Sequence, residues 1–124
     1  MVISRGFRDL IVYKKSYAIT MKIYEITKSF PKEEKYSLID QIRRSSRSIP
    51  TNIAEAWAKR IYPKVFVNKL TDSLGEEHET EVWLDLSHDC QYISSETHAQ
   101  FIQEYDEVRR MLISMINTPE KFCK

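Results

Sequence analysis

Arg43, Arg44, Arg47, Lys59, Arg60 and Lys64 are the residues best placed to do chemistry on a ligand. On a helix Arg43 and Arg47 stand one turn apart, Arg44 faces further outward, and Lys59, Arg60 and Lys64 gather at the far end. Cations so spaced can neutralise phosphates without reading base sequence, a mode of binding that weakens steeply with salt. The plainer reading is a solvated face in which Asp40 pairs with Arg44 and Glu55 with Lys59 at the four-residue helical step.

Residues suited to covalent or metal chemistry are sparse. His78, His88 and His98 recur every ten positions, but ten steps of a helix turn through about 1000°, so neighbouring members of the set point in different directions. Asp85 and His88, three apart, have the spacing of two ligands to one metal, and Glu77 and Glu81 add carboxylates to the same segment. Bundle metal centres draw Glu-x-x-His pairs and further Glu residues from facing helices, whereas the last segment offers only His98 on its apolar stripe. Cys90 follows His88 and Asp89 as a nucleophile might follow its base, yet successive helical residues diverge by about 100°. Gly6 and Gly75 have no partner glycine at phosphate-loop spacing. Cys90 and Cys123 lack zinc-site spacing and are too few for a disulfide framework, so both read as free thiols. The expectation is a protein without catalytic residues, metal or cofactor.

The elements that carry these residues follow from apolar spacing. A chain of 124 residues has the length of one domain, and folding at that size buries roughly two thirds of the chain's surface. With 42% hydrophobic and 30% charged residues but only two glycines and four prolines, the composition favours helices over turn-rich β structure or disorder. In the first segment one stripe runs through Leu10, Tyr13, Tyr17, Met21 and Tyr24, and a second through Val12, Ile19, Ile23, Ile26 and Phe30. That is more apolar surface than one neighbouring helix pair covers. Pro31 with Glu33 and Glu34 suits the first turn of a second helix, whose stripe is Ile39, Ile42, Ser46, Ile49, Ile53 and Trp57. Pro50 removes a hydrogen bond within it, which predicts a kinked helix, with two short helices meeting at 48–50 as the alternative. A third segment places Phe66, Leu70, Ser73, Glu77, Thr80 and Leu84 on one unusually polar face. Ser94 and Ser95 can cap a fourth, striped by Phe101, Tyr105, Val108, Leu112 and Met115. Helices are therefore expected over 7–29, 32–60, 64–92 and 96–117, forming an all-α, up-down antiparallel four-helix bundle in a single domain. No stretch has the roughly 20 apolar residues of a membrane span, and the start lacks the apolar run of a signal peptide, so the expected location is the cytoplasm.

The net charge of +1 hides a division. Residues 1–69 carry 15 Lys/Arg against 6 Asp/Glu, or +9, and residues 70–124 carry 4 against 12, or −8. A basic half attracts nucleic acid; within one compact domain it also attracts the acidic half, in the same chain or in the next subunit.

The stretch Phe30-Pro31, Glu34, Tyr36, Leu38, Gln41, Arg43-Arg44 and then 48–55, Ser-Ile-Pro-Thr-Asn-Ile-Ala-Glu, resembles the signature of the four-helix-bundle proteins encoded by 23S rRNA intervening sequences. The likeness extends through Phe7, Leu10, Tyr13 and Tyr24, through Gly75, Glu79 and Glu81, and through Tyr92 and 110–112. Three positions depart from it: Ala56 stands where Gly is usual, Glu76 where Ser is usual and Thr80 where Leu is usual. Loss of that Gly predicts a second helix running on to Arg60. The resemblance implies a bacterial homo-oligomer, typically a pentameric ring, associated with RNA and without enzymatic activity. A similar protein, the accessory variability determinant of diversity-generating retroelements, implies a nucleic-acid-processing protein as a further partner. Head-to-tail contacts between unlike faces close into rings. A structural protein–protein scaffold that makes no contact with nucleic acid is the alternative.

Overall fold

A computed structural model describes residues 6–124. Its α-helices are α1 (Ile11–Thr27), α2 (Leu38–Ala58), α3 (Pro63–Asp89) and α4 (Ser95–Asn117), with single 3-10 turns at Phe7–Asp9, Lys32–Glu34 and Pro119–Lys121. Each helix packs on its successor, and α4 returns against α1 to close the bundle. The expected all-α up-down architecture is what the chain forms.

Five boundaries fall inside the expected ones, among them the ends of α1 at Thr27 and of α3 at Asp89. Leu10 is extended (ψ 129°), which separates the turn at Phe7–Asp9 from α1. Pro31 and the two glutamates after it start only a 3-10 turn, because Ser37 leaves the helical region (φ −126°, ψ −99°) and α2 begins after it. Helix α2 also stops at Ala58 instead of running to Arg60, since Tyr62 precedes Pro63 and takes up an extended conformation (φ −113°, ψ 92°). Pro63 then occupies the first turn of α3, where a missing N–H costs nothing. At the start of α4 the Ser94 side chain accepts from the Thr97 N–H at 3.1 Å.

The two stripes of α1 separate. Val12, Ile19 and Ile23 of the second stripe are buried in the core, while of the first Leu10 and Tyr13 pack against its edge and Tyr17 and Met21 remain 51% and 45% exposed; Ile11, on neither stripe, is exposed as well. The core stripes of α2, α3 and α4 are buried as their spacing predicts, with Ile42, Ile49, Ile53, Phe66, Leu70, Tyr105, Val108 and Leu112 wholly enclosed. Polar residues also enter this interior, and two of their contacts tie α2 to α3. Ser45 and Thr80 join α2 to α3 by a 2.8 Å hydroxyl contact, and the Ser73 hydroxyl donates to the Ile49 carbonyl at 2.9 Å.

Between α1 and α2 the polar contact answers a proline. Helix α2 runs through Pro50 as one helix, not two, although Pro50 has no N–H for the Ser46 carbonyl four residues back. The Thr20 hydroxyl lies 3.0 Å from that carbonyl and 2.8 Å from Ser16 O, so a side chain of α1 substitutes for the backbone donor that α2 lacks. Leaving the carbonyl buried and unpaired would cost on the order of 1–3 kcal/mol.

Candidate nucleic-acid interface

The basic residues of α2 occupy two separate patches. From Arg47 to Lys59 the helix rises about 18 Å at 1.5 Å per residue. The first patch, Arg43, Arg44 and Arg47, lines an open groove on the outer side of α2 together with Lys35, Tyr36 and Asn52. The second holds Lys59, Arg60 and Lys64 around the turn into α3.

Within the first patch the arginines differ in how they are engaged. Arg43 is half-buried: its Nε donates to Thr27 Oγ1 at 2.9 Å and its Nη2 to the Tyr24 carbonyl at 3.3 Å, so it ties α2 to the end of α1. Arg44 Nη1 lies 3.3 Å from a Glu76 carboxylate oxygen, and its Nη2 pairs with Glu79. Hydrogen bonds from Glu76 and then Glu79 push the Arg44 pKa above its already high ordinary value. Arg47 is exposed and, among the described residues, has no carboxylate within ion-pair distance.

One ring organises this patch. Lys28 Nζ and the guanidinium carbons of Arg43 and Arg47 lie 4.8, 4.7 and 6.0 Å from the centroid of Tyr24. The negative face of an aromatic ring attracts cations, and here it offsets the repulsion among three of them. Lys28 and Lys35 are therefore additional members that the sequence reading left out. The Tyr24–Lys28 pair was visible as a four-residue helical step; their meeting with Arg43 and Arg47 depends on how α1 packs on α2.

In the second patch the Arg60 guanidinium stacks 4.1 Å from the Trp57 ring centroid and Nη1 donates to the Trp57 carbonyl at 3.0 Å. Lys59 and Lys64 are exposed, and no ion pair involves either among the described residues.

The expected pairings within α2 are replaced by pairings between helices. Arg44 bonds to α3 in place of Asp40, and Glu55 meets Lys69 at 3.7 Å in place of Lys59. Lys15 reaches Glu107 at 2.7 Å and Lys22 reaches Glu104 at 2.8 Å, joining basic α1 to acidic α4. Lys15, Lys22 and Arg44 of the basic half are thus paired with carboxylates of the acidic half inside one chain.

The histidines correct an expectation. The rings of His88 and His98 lie 4.9 Å apart, because the chain reverses between α3 and α4 at Gln91 (φ 65°), whereas the rotation argument assumed one continuous helix. Asp85, expected beside His88, accepts His98 Nε2 at 2.7 Å instead, and His88 Nε2 lies 2.9 Å from Ser95 Oγ. His78 bonds to the Leu74 carbonyl away from both. Among the described residues no three His, Cys, Asp or Glu side chains are arranged to hold a metal ion, and no helix is long and apolar enough to cross a membrane. Cys90 and Cys123 are free thiols.

Comparison with known proteins agrees with the fold. No curated protein matches the chain. A crystal structure of a protein of unknown function from the S23 ribosomal protein family of Bacteroides thetaiotaomicron VPI-5482 is similar, with 35% sequence identity, a TM-score of 0.79, and coverage of 87% of this chain and 96% of that one. The model of the 23S rRNA-intervening sequence protein family matches residues 8–114, which take in all of α1 to α3, most of α4 and the whole Tyr24 patch, and the chain belongs to that family.

Proposed function

We propose that this chain is a non-catalytic, homo-oligomeric RNA-associated protein of the bacterial cytoplasm that holds RNA phosphates on the outer face of α2. The observation that carries the reading is a group of exposed cations with no carboxylate partner: Arg47 in the patch where Tyr24 gathers three positive charges, and Lys59 and Lys64 in the second patch at the turn into α3. Arg43 and Arg44 contribute field to this face, but both also hold helices together. Reversing their charges would therefore confound binding with folding.

The test is a titration with structured RNA at several salt concentrations, using wild type and the combined variant Arg47→Glu, Lys59→Glu, Lys64→Glu. Each lost phosphate contact lowers the slope of log affinity against log salt by about 1. The variant is expected to lose at least about tenfold in affinity at low salt and up to about 3 units of slope. Wild-type affinity that ignores salt defeats the proposal.

Self-assembly rests on the outward stripe of α1. Tyr17 and Met21 are exposed, and Met21 borders an apolar groove floored by Ile26 and Phe101 between α1 and α4. Since ion pairs joining the basic and acidic halves close within one chain, the expected subunit contact is apolar and persists in molar salt. The family resemblance implies a pentamer. Tyr17→Lys combined with Met21→Lys should convert the assembly to monomers by light scattering, with helical content unchanged; an assembly of unchanged mass moves the contact elsewhere. The same stripe supports a purely structural scaffold, and the RNA titration separates the two.

A further inference from the structure

Tyr36 is the most exposed large hydrophobic residue of the described chain, at 82%. It belongs to the 30–55 stretch that carries the family resemblance, yet it contributes nothing to the core. It sits in the turn between the Lys32–Glu34 3-10 turn and α2, where Lys35 Nζ lies 5.2 Å from its ring centroid. From there the groove runs along α2 past Ile39 to Arg43, Arg47 and Asn52. Counting from Ile39 at 1.5 Å per residue, Arg43 lies about 6 Å and Arg47 about 12 Å further along the axis.

From this arrangement we infer that Tyr36 is a base-stacking site, and that the strand bound along α2 is single-stranded or unpaired RNA whose phosphates follow Arg43 and Arg47. The inference rests on the phosphate-binding reading of the same face and adds the form of RNA. An exposed ring costs hydrophobic free energy that burial elsewhere would recover. Beside a cationic groove it presents what a single strand needs: a flat apolar face for one base and positive charge for the backbone. Every base has such a face, so stacking of this kind tolerates any sequence. A duplex keeps its bases stacked on one another and offers only its phosphates. The groove also bears Asp40 and Glu55. Of the exposed cations in the groove, Arg44 is engaged by Glu76 and Glu79, which leaves Arg47 and Lys35 without an ion pair among the described residues.

The experiment measures binding of an end-labelled, unstructured 12-nucleotide RNA and of a blunt 20-base-pair RNA duplex by fluorescence anisotropy at low salt. The full chain is used as wild type, Tyr36→Ala, Tyr36→Phe and Arg47→Glu. Tyr36→Ala should weaken single-strand binding about tenfold, the effect of one stacked base. It should leave duplex binding within twofold, while Tyr36→Phe retains wild-type affinity. Because the ring is outside the core, far-ultraviolet circular dichroism and melting temperature should not change. Single-strand affinity unchanged in Tyr36→Ala but lowered in Arg47→Glu overturns the stacking site and leaves the phosphate reading standing. No binding of either RNA by wild type overturns both.

Discussion

Glu77→Gln should stabilise this protein, and by more the higher the pH. Glu77 is wholly buried on α3, neither of its carboxylate oxygens has a hydrogen-bond partner, and the basic groups near it are His78 Nδ1 at 3.4 Å and Arg109 Nη1 at 4.0 Å. Burial first, then the neighbouring Glu81, pushes its pKa from an ordinary 4.5 up to about 9. Below the unfolded value both states hold the proton and the group is indifferent to pH. Between about 4.5 and 9 the folded state keeps a proton that the unfolded chain releases, so stability falls as pH rises through that window. The loss is about 1.4 kcal/mol per pH unit at most, and on the order of 3 kcal/mol by neutral pH. Glutamine has the same shape and no proton to release. Urea melts from pH 5 to pH 9 should therefore show the two proteins within about 1 kcal/mol at pH 5 and separating by roughly a further 4 kcal/mol by pH 8. A wild-type minus variant difference that stays flat across the range contradicts the assignment of Glu77 as a neutral buried acid.

The cation beside that acid should be among the most costly to remove. Arg109 of α4 bonds to Glu81 of α3 at 2.7 Å and to Asp106 of its own helix, with Glu77 just beyond. Arg109→Met keeps most of the apolar stem but leaves these carboxylates facing one another. Breaking a buried pair by removing one partner typically costs 3–5 kcal/mol; Arg109 is 27% exposed, so about 2–3 kcal/mol is expected at neutral pH. In the Glu77→Gln background the cost at neutral pH should be nearly unchanged, since Glu77 already holds its proton there and Arg109 compensates Glu81 and Asp106. A double-mutant cycle in urea measures the coupling, and a coupling of about 1 kcal/mol or more at neutral pH would show that Arg109 compensates a charge on Glu77.

How much of this was readable in the sequence depended on whether a contact lies within one helix. Stripes at three- and four-residue steps located α2, α3 and α4 and named their core residues, including the polar Ser73, Glu77 and Thr80. They also revealed both apolar stripes of α1, but periodicity is symmetric about the helix axis and did not say which faces inward. The start of α2 was misplaced because Pro31, Glu33 and Glu34 satisfy the rules for a first helical turn, while Ser37 ends that turn by its backbone conformation. The partners of Arg44 lie 32 and 35 residues away, beyond any local rule. The meeting of His88 with His98, and of Tyr24 with Arg43 and Arg47, likewise waits on how neighbouring helices are aligned. The candidate cations were legible as residues; which of them remain free for a ligand was not.

The Thr20 hydroxyl on the Ser46 carbonyl has a consequence for specificity that its modest energy conceals. Apolar stripes repeat every turn, so α1 could slide by one turn along α2 and regain comparable packing. A one-turn shift that set Ile23 against the carbonyl left open by Pro50 would leave it without a donor, whereas the opposite shift would bring it the Ser16 hydroxyl. The proline thus opens a keyhole in α2 that Thr20 fills at the observed alignment, which narrows the registers open to α1. Single polar contacts in helical bundles are known to fix axial register in this way. The surfaces assembled across that seam, Tyr24 and Lys28 from one helix with Arg43 and Arg47 from the other, inherit their alignment from it.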